Sequence, residues 1–408
     1  MNAQTIQRAY LTLTLFNTLA SSFIWGVNTL FLLEAGLTKT EAFGANAFFT
    51  AGMVLCDIPT GVIADTLGRR FSYLLGCFTL TITTLIYYLL WKCHGPFWTW
   101  AIDSVALGLG FTFFSGATEA WLVDALKFLK YDKSLETVFA KAQVVDGIAM
   151  FIGATVGGIV AQYTNLGVPY LIRSVFLIVS FVVAAAIMRD LGFTSRPMRN
   201  ITEEIKGVIK QSISGGFCIP AVRWIMLTAP VISGISIYGF YAAQPFLLEL
   251  FGKSSNYSVA GLAASLVAAS QIIGGLSVPL TRRLFEKRTS LFSFVIVGSS
   301  IFLCFFGLAK NFWVGISLLA LWSLLSAAMI PHRQAYLNKI ISSEGRATVL
   351  SFDSTLGSLG GVFIQPFLGK TADLWGFGVS FVVAGLLNLL ALPLVLLARK
   401  EDNPADRI

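Results

Sequence analysis

Twelve apolar stretches, each about twenty residues or longer, follow one another along almost the whole of this 408-residue chain, and nothing else limits its fold so tightly. They cover residues 9–33, 43–64, 71–92, 97–122, 137–162, 168–189, 223–250, 258–280, 290–309, 312–333, 347–368 and 376–398. A helix rises about 1.5 Å per residue, so about 20 residues cross a hydrocarbon layer about 30 Å thick. The runs are continuous and do not alternate, which points to helices and away from barrel strands. With 56% hydrophobic and 12% charged residues, the chain has too little polar surface to be covered by water. The expected fold class is an all-α membrane protein of twelve transmembrane helices. Residues 1–9 are polar and the first apolar run is too long for a cleaved leader, so span one is expected to stay as an anchor.

Basic residues report the orientation. Placing the amino terminus in the cytoplasm puts Arg8, Lys133, Arg196, Arg199, Arg333 and most of the other Lys and Arg residues inside. Of the 29, the exceptions are Lys39, Lys92, Arg173, Lys253, Lys310 and Lys370. Both termini are therefore expected to be cytoplasmic. The same bias accounts for the pI near 9.3 without a nucleic-acid partner.

The longest polar interruption follows span six. It divides the chain into an N-terminal six-helix bundle (1–190), a linker (191–222) and a C-terminal six-helix bundle (223–408). In the linker, Ile201, Ile205, Val208 and Ile209 recur at helical spacing opposite Glu204, Lys206 and Lys210, as in an amphipathic helix lying on the membrane surface. Two equal halves suggest a duplicated bundle with pseudo-two-fold symmetry. After span two comes GVIADTLGRR (61–70). At the matching point after span eight comes GLSVPLTRRLFEKR (275–288), which keeps the leading Gly275 and the basic cluster and loses the aspartate. Spans five and eleven carry GATVGG (153–158) and GSLGG (357–361), small residues that let helices approach closely in lipid.

GVIADTLGRR resembles the loop motif of the major facilitator superfamily, Gly-x-x-x-Asp-x-x-Gly-Arg-Arg between helices two and three. The spans, the six-plus-six split and the degenerate second copy extend that resemblance over the whole chain. SGATEAWLVDAL (115–126) and GRATVLSF (345–352) are similar to pieces of its drug-efflux-like branch. Two positions depart from that branch: DSVALGLG (103–110) has no arginine in span four, and Ala154 stands where a proline is usual in span five. The resemblance implies a secondary active transporter of the inner membrane working by alternating access around a midplane cavity, with no enzyme activity.

The motif has a physical reading of its own. Gly61 lies near the end of span two and Gly68 supplies the turn; Asp65 emerges on the inner face, where span eleven begins. A helix amino terminus offers unpaired N–H groups and partial positive charge, so Asp65 is expected to dock there. Arg69 is expected to reach Asp124 at the inner end of span four, beside Arg70. These six residues form a gating latch in this reading.

Carboxylates inside apolar spans are costly and are usually kept for pathway or coupling work. Asp57, Glu119, Asp146 and Asp353 are the proton-coupling candidates, each equally readable as a structural hydrogen-bond acceptor. Asp57 is open between latch and transport path. Asp103 and Arg173 lie at similar depth in spans four and six and are expected to form a buried ion pair. Asn17, Trp25, Asn28, Tyr238, Tyr241, Gln244, Gln271 and Trp322 mix rings with amides and are the substrate-cavity candidates.

Five cysteines and two histidines, His94 and His332, form no metal-binding spacing, and no phosphate-binding Walker sequence occurs. Met329, Pro331 and His332 read as the end of span ten. The sequence thus predicts no cofactor and no metal. Its expected partners are a small-molecule substrate, protons and the lipid bilayer, with the chain acting as a monomer. Proton-coupled export of small amphipathic organic compounds is the leading reading. The alternatives are a transporter of one metabolite (a siderophore, sugar, amino acid or lipid) and a transport-dead receptor.

Overall fold

The computed structural model describes residues 2–131, 135–195, 201–252, 256–342 and 346–408. Lys133, Arg196, Arg199, Lys253 and Gly345 lie outside the described residues, as do the side chains of Ile201, Glu204, Val208 and Gln271 and the surroundings of Gly275. Sixteen α-helices follow in chain order: α1 (Ala3–Trp25), α2 (Asn28–Glu34), α3 (Lys39–Leu67), α4 (Arg69–Cys93), α5 (Phe97–Thr112), α6 (Ala117–Phe128), α7 (Leu135–Tyr163), α8 (Val168–Ile187), α9 (Ile201–Ser212), α10 (Pro220–Phe251), α11 (Tyr257–Leu276), α12 (Val278–Leu284), α13 (Arg288–Leu308), α14 (Phe312–Ile340), α15 (Arg346–Asn388) and α16 (Ala391–Lys400).

Among the described residues, ten helical stretches are long and apolar enough to cross a membrane, or eleven when α1 and α2, bent by 49°, count as one span. The last of them, Thr348–Lys400, has 53 residues. At about 1.5 Å per residue it is more than twice the hydrocarbon thickness. It is interrupted at Gly376, where φ is +83°. It therefore holds two crossings, which brings the count among the described residues to twelve.

The chain folds as two compact units. Unit 1 holds Met1–Gly36, Phe48–Glu204 and Tyr257–Ser265; unit 2 holds Leu37–Ala47, Ile205–Asn256 and Leu266–Ile408. In unit 1, α1 packs along α7 and α8, and α4 along α5 and α8. In unit 2, α10 packs along α15 and α16, and α13 along α14 and α15. Span one thus lies on span five and span seven on span eleven, so each unit repeats the other's plan. Within unit 1, a Cβ on Gly158 would lie 2.8 Å from the Gly261 Cα, and one on Gly261 would lie 2.7 Å from the Ala154 carbonyl oxygen. Helices α7 and α11 touch there backbone to backbone.

Polar side chains inside the spans close on their own helices. The hydroxyls of Thr14, Ser21, Thr81 and Ser300 each donate to the carbonyl four residues earlier, at 2.7–3.0 Å. Such bonds let hydroxyls sit in lipid without an unmet donor.

Two spans differ from the expected outline. Span four breaks between α5 and α6, with Gly116 at φ +67°. Span ten does not end at Pro331 but runs on to Ile340. The last residues are polar and extend past the apolar core, so hydropathy alone stops short of them. As a result Arg333 sits inside a helix, and buried His332 bonds the Thr281 hydroxyl at 2.7 Å.

Each unit closes the start of its third span with an aspartate from beyond its sixth. In unit 1, Asp190 Oδ1 accepts from the Arg70 amide at 2.9 Å, and Arg70 Nη2 donates to the Ala185 carbonyl at 2.7 Å. In unit 2, Asp406 accepts from the Thr289 amide at 2.8 Å and from its hydroxyl at 2.7 Å, while Arg288 donates to the Ala405 carbonyl. Both carboxylates satisfy amides that a helix start otherwise leaves unpaired. Gly68, at φ +110°, is needed beside the first cap, since a Cβ there would lie 2.4 Å from Asp190 Oδ2. Asp190→Ala and Asp406→Ala are each expected to lower stability by about 1 kcal/mol, up to about 2. Thermal unfolding in detergent micelles checks this; an unchanged midpoint in both variants refutes the capping role.

Candidate functional site

Unit 1 contains a cavity of about 950 Å³. It is walled by α1 (Tyr10, Thr14, Asn17, Thr18), by the break in span four (Ser115, Gly116), by Glu119 of α6 and by Gln143 and Asp146 of α7. The break is what opens it. A left-handed residue at Gly116 ends α5 and starts α6 afresh, so the first turn of α6 faces the space and carries Glu119. A carboxylate in a first turn is favoured by the helix dipole. Asp146 accepts a hydrogen bond from the Thr18 hydroxyl across the α1–α7 contact. Among the described residues the lining has two carboxylates and no Lys, Arg or His, with the rings of Tyr10, Tyr73, Phe114 and Phe139 around them.

Unit 2 has its own cavity, of about 330 Å³, lined by Ser233, Ser236, Phe240, Trp322, Ser326 and Arg333 among others. Its acid is already spoken for. Arg333 grips Asp353 with both terminal nitrogens, at 2.5 and 2.7 Å, and donates to the Ile225 carbonyl at 3.3 Å. Side-chain exposures of 19% and 9% make this a largely desolvated fork-to-fork pair.

The proton-coupling candidates therefore separate. Glu119 and Asp146 share one cavity, Asp353 is bound by an arginine, and Asp57 is half-buried on α3 and lines neither cavity. Among the substrate-cavity candidates, Asn17 lines the cavity of unit 1 and Trp322 that of unit 2. Asn28, Tyr238 and Gln244 are buried in packing and line neither. Asn28 accepts from the Tyr170 hydroxyl at 2.8 Å, and Tyr238 bonds Ser380. Trp25 and Tyr241 are half-buried, Tyr241 with its ring on Phe240.

The expected Asp103–Arg173 pair is not among the ion pairs of the described residues. Arg173 donates Nε to the Thr84 hydroxyl at 3.1 Å and lies over the Phe111 ring. Asp103 is 6% exposed, and its Oδ2 has no hydrogen-bond partner among the described residues. Equal depth in two spans does not put two side chains on facing sides.

At the end of unit 1 where spans two, four and six finish, the motif residues gather. Asp65 binds Arg69 Nη1 at 2.5 Å, one turn away, and Arg69 Nε lies 4.0 Å from Asp124 Oδ2. The loop after span six covers them: the Ser195 hydroxyl donates to the Thr66 carbonyl at 2.8 Å, and Phe193 lies under the Arg69 guanidinium. A Cβ on Gly61 would meet nothing within 4 Å. Asp190 completes the cluster. Burial pushes its carboxyl up from the ordinary range, the Arg70 amide and the Arg70 and Arg69 charges pull it down, and Asp124 pushes it up. Sequence reasoning missed Asp190, Arg333 and Thr18. An acid alone in the basic run just after span six was the available signal for Asp190, and an arginine closing the apolar run of span ten was that for Arg333.

Twelve spans, two bundles of one plan and polar cavities inside them define a polytopic membrane transporter. Residues 10–290 and 276–407 match the Major Facilitator Superfamily, and the chain belongs to it. It is 24% identical over 373 residues to YxaM of Bacillus subtilis (strain 168), an uncharacterised MFS-type transporter, covering 86% of this chain and 85% of that one. Its fold is similar to the crystal structure of the nucleoside transporter NupG, with a TM-score of 0.77 at 11% identity over 98% of this chain and 100% of the other. It is also similar to a bacterial homologue of the human lysosomal transporter Spinster in an inward-facing, unoccupied conformation, with a TM-score of 0.70 at 16% identity over 100% and 98%.

Removing one partner of a desolvated pair strands the other charge, at about 3–5 kcal/mol. Arg333→Met and Asp353→Leu are each expected to destabilise by that amount, and the double variant to recover most of it. A double-mutant cycle on detergent melting temperatures measures the coupling, which is lost if the two single effects simply add.

Proposed function

We propose that the chain is a proton-coupled exporter of small amphipathic organic compounds, cationic ones foremost, working by alternating access. The observation that carries this reading is the cavity of unit 1, where Glu119 and Asp146 face a polar space with aromatic walls and, among the described residues, no basic side chain in its lining. In this proposal the carboxylate pair carries a proton in one direction and a positively charged solute in the other. The exchange of a proton for a cation leaves the cavity's charge unchanged, which is the economy an antiporter needs. Rings beside the carboxylates suit an apolar body attached to a positive group.

In this proposal the six-span halves, residues 1–190 and 223–408, exchange conformations about the linker, and Asp353 holds Arg333 as a structural pair. The excess of Lys and Arg at the ends of spans two, four and six supports a cytoplasmic location for both termini and an inner-membrane home. The competing reading, a carrier for one specific metabolite, draws on the fold shared with transporters of single solute classes.

In proteoliposomes, an imposed pH gradient is expected to drive flux of organic cations. Glu119→Gln and Asp146→Asn are each expected to cut gradient-driven flux at least tenfold while leaving a melting temperature within a few degrees of the parent. Flux that ignores the gradient sinks the coupling, and a single saturable neutral or anionic substrate favours the metabolite carrier.

A further inference from the structure

The first turn of α3 is held by a contact that the transporter reading leaves unused. Thr38 and Glu41 form a reciprocal cap there: the Thr38 amide donates to Glu41 Oε2 at 2.8 Å, and the Glu41 amide to Thr38 Oγ1 at 3.2 Å. That leaves two orphan amides at the helix start, those of Lys39 and Thr40. Both donate to Asp373 of α15, Lys39 to Oδ1 at 2.9 Å and Thr40 to Oδ2 at 2.8 Å, and the Thr40 hydroxyl adds a third bond. One carboxylate thus completes the cap of a helix 333–334 positions away in sequence. Around it, Lys39 Nζ donates to the Ala372 carbonyl at 3.2 Å and lies 4.2 Å from the centre of the Phe377 ring. Phe43 packs on the bare backbone of Gly369, where a Cβ would lie 3.0 Å from the Phe43 Cβ, and its ring lies tilted against that of Tyr238 with centres 4.7 Å apart. All of these residues belong to unit 2, although the rest of α3, from Phe48 on, belongs to unit 1.

The sequence at this place repeats the opening motif. Gly61-Val-Ile-Ala-Asp65-Thr-Leu-Gly68 and Gly369-Lys-Thr-Ala-Asp373-Leu-Trp-Gly376 share Gly-x-x-Ala-Asp-x-x-Gly. In both, the aspartate sits in the last turn of a span and the final glycine breaks the helix at positive φ, +110° and +83°. One copy ends span two and the other ends span eleven, which run in opposite senses, so the two lie on opposite membrane faces.

We propose that residues 369–376 are a second latch, built like the first and closed in this structure, with Asp373 as a gating residue for transport. The segment of α3 that it caps is short and polar at its tip, with Ala42 and Phe43 buried behind the cap, so opening it exposes side chains that are closed off in this structure. In the alternate conformation Asp373 releases the Lys39 and Thr40 amides to water. The cap's worth, that of an ordinary helix cap, is the amount by which it biases the equilibrium between the two states.

The inference rests on alternating access, and its test needs neither substrate nor a proton gradient, so a failure of proton coupling leaves it standing. Ala42, fully buried on the first turns of α3, is replaced by cysteine in a background carrying Cys93→Ser and Cys218→Ser, which removes both exposed thiols, and labelling by a membrane-impermeant maleimide is timed. Asp373→Ala is expected to raise the labelling rate about fivefold, the population change that loss of a typical cap produces. Asp373→Asn, which keeps one oxygen acceptor, and Thr40→Val, which removes only the hydroxyl bond, are expected to fall between parent and alanine. If Asp373→Ala does not fold, the latter two decide. Labelling unchanged in the folded variants overturns the latch.

Discussion

The hydrocarbon core of a membrane offers no water to an unpaired amide, hydroxyl or carboxylate, and the rest of this structure follows from that. A backbone that must satisfy itself becomes helix, and a side chain that cannot reach water must find a partner on its own helix or a neighbour. Threonines and serines settle the matter locally, on the carbonyl one turn back. Arginines cannot, and Arg333 and Arg173 show two solutions: a carboxylate gripped with both nitrogens, and a hydroxyl beneath an aromatic ring. Helix starts need outside help as well, and in this chain three of them receive it from aspartates remote in sequence: Asp190, Asp373 and Asp406.

Seen this way, the two units spend their acids differently. In unit 2 the intramembrane carboxylate is neutralised by an arginine, which leaves a small cavity of hydroxyls and rings. In unit 1 the carboxylates face open space, and their nearest described help is a threonine hydroxyl and a helix start. That asymmetry between two bundles of one plan is the basis on which the proposal places exchange in unit 1.

Much of the fold was legible in the sequence because lipid imposes a length rule, and length is a one-dimensional quantity. The expected span of 137–162 stands beside α7 at Leu135–Tyr163, and that of 290–309 beside α13 at Arg288–Leu308. The bends were harder to read. Nothing in the hydropathy of 97–122 distinguishes a straight helix from one interrupted at Gly116, yet that interruption makes the cavity. Pairing was harder still, since depth along a span says nothing of the direction a side chain takes around it. Asp103 and Arg173 were matched by depth and do not meet among the described residues, while Arg333 and Asp353 meet from helices read separately as a topology-setting loop and a coupling site. Asp373 was overlooked because its motif was sought at spans two and eight, and the copy lies at span eleven.

The aspartates beyond the sixth and twelfth spans have a mechanical meaning. Each chain segment leaving a bundle is pinned to the start of the third span before it departs. A pull on the linker after Asp190, or on the residues around Asp406, therefore reaches a tethered point near the middle of the bundle's fold and does not peel away its last helix. The sixth helix is spared as the weak end from which a bundle would unzip, so each group of six helices can be dragged as one piece. Each bundle thus has its strain relief moulded in where the cable leaves the housing.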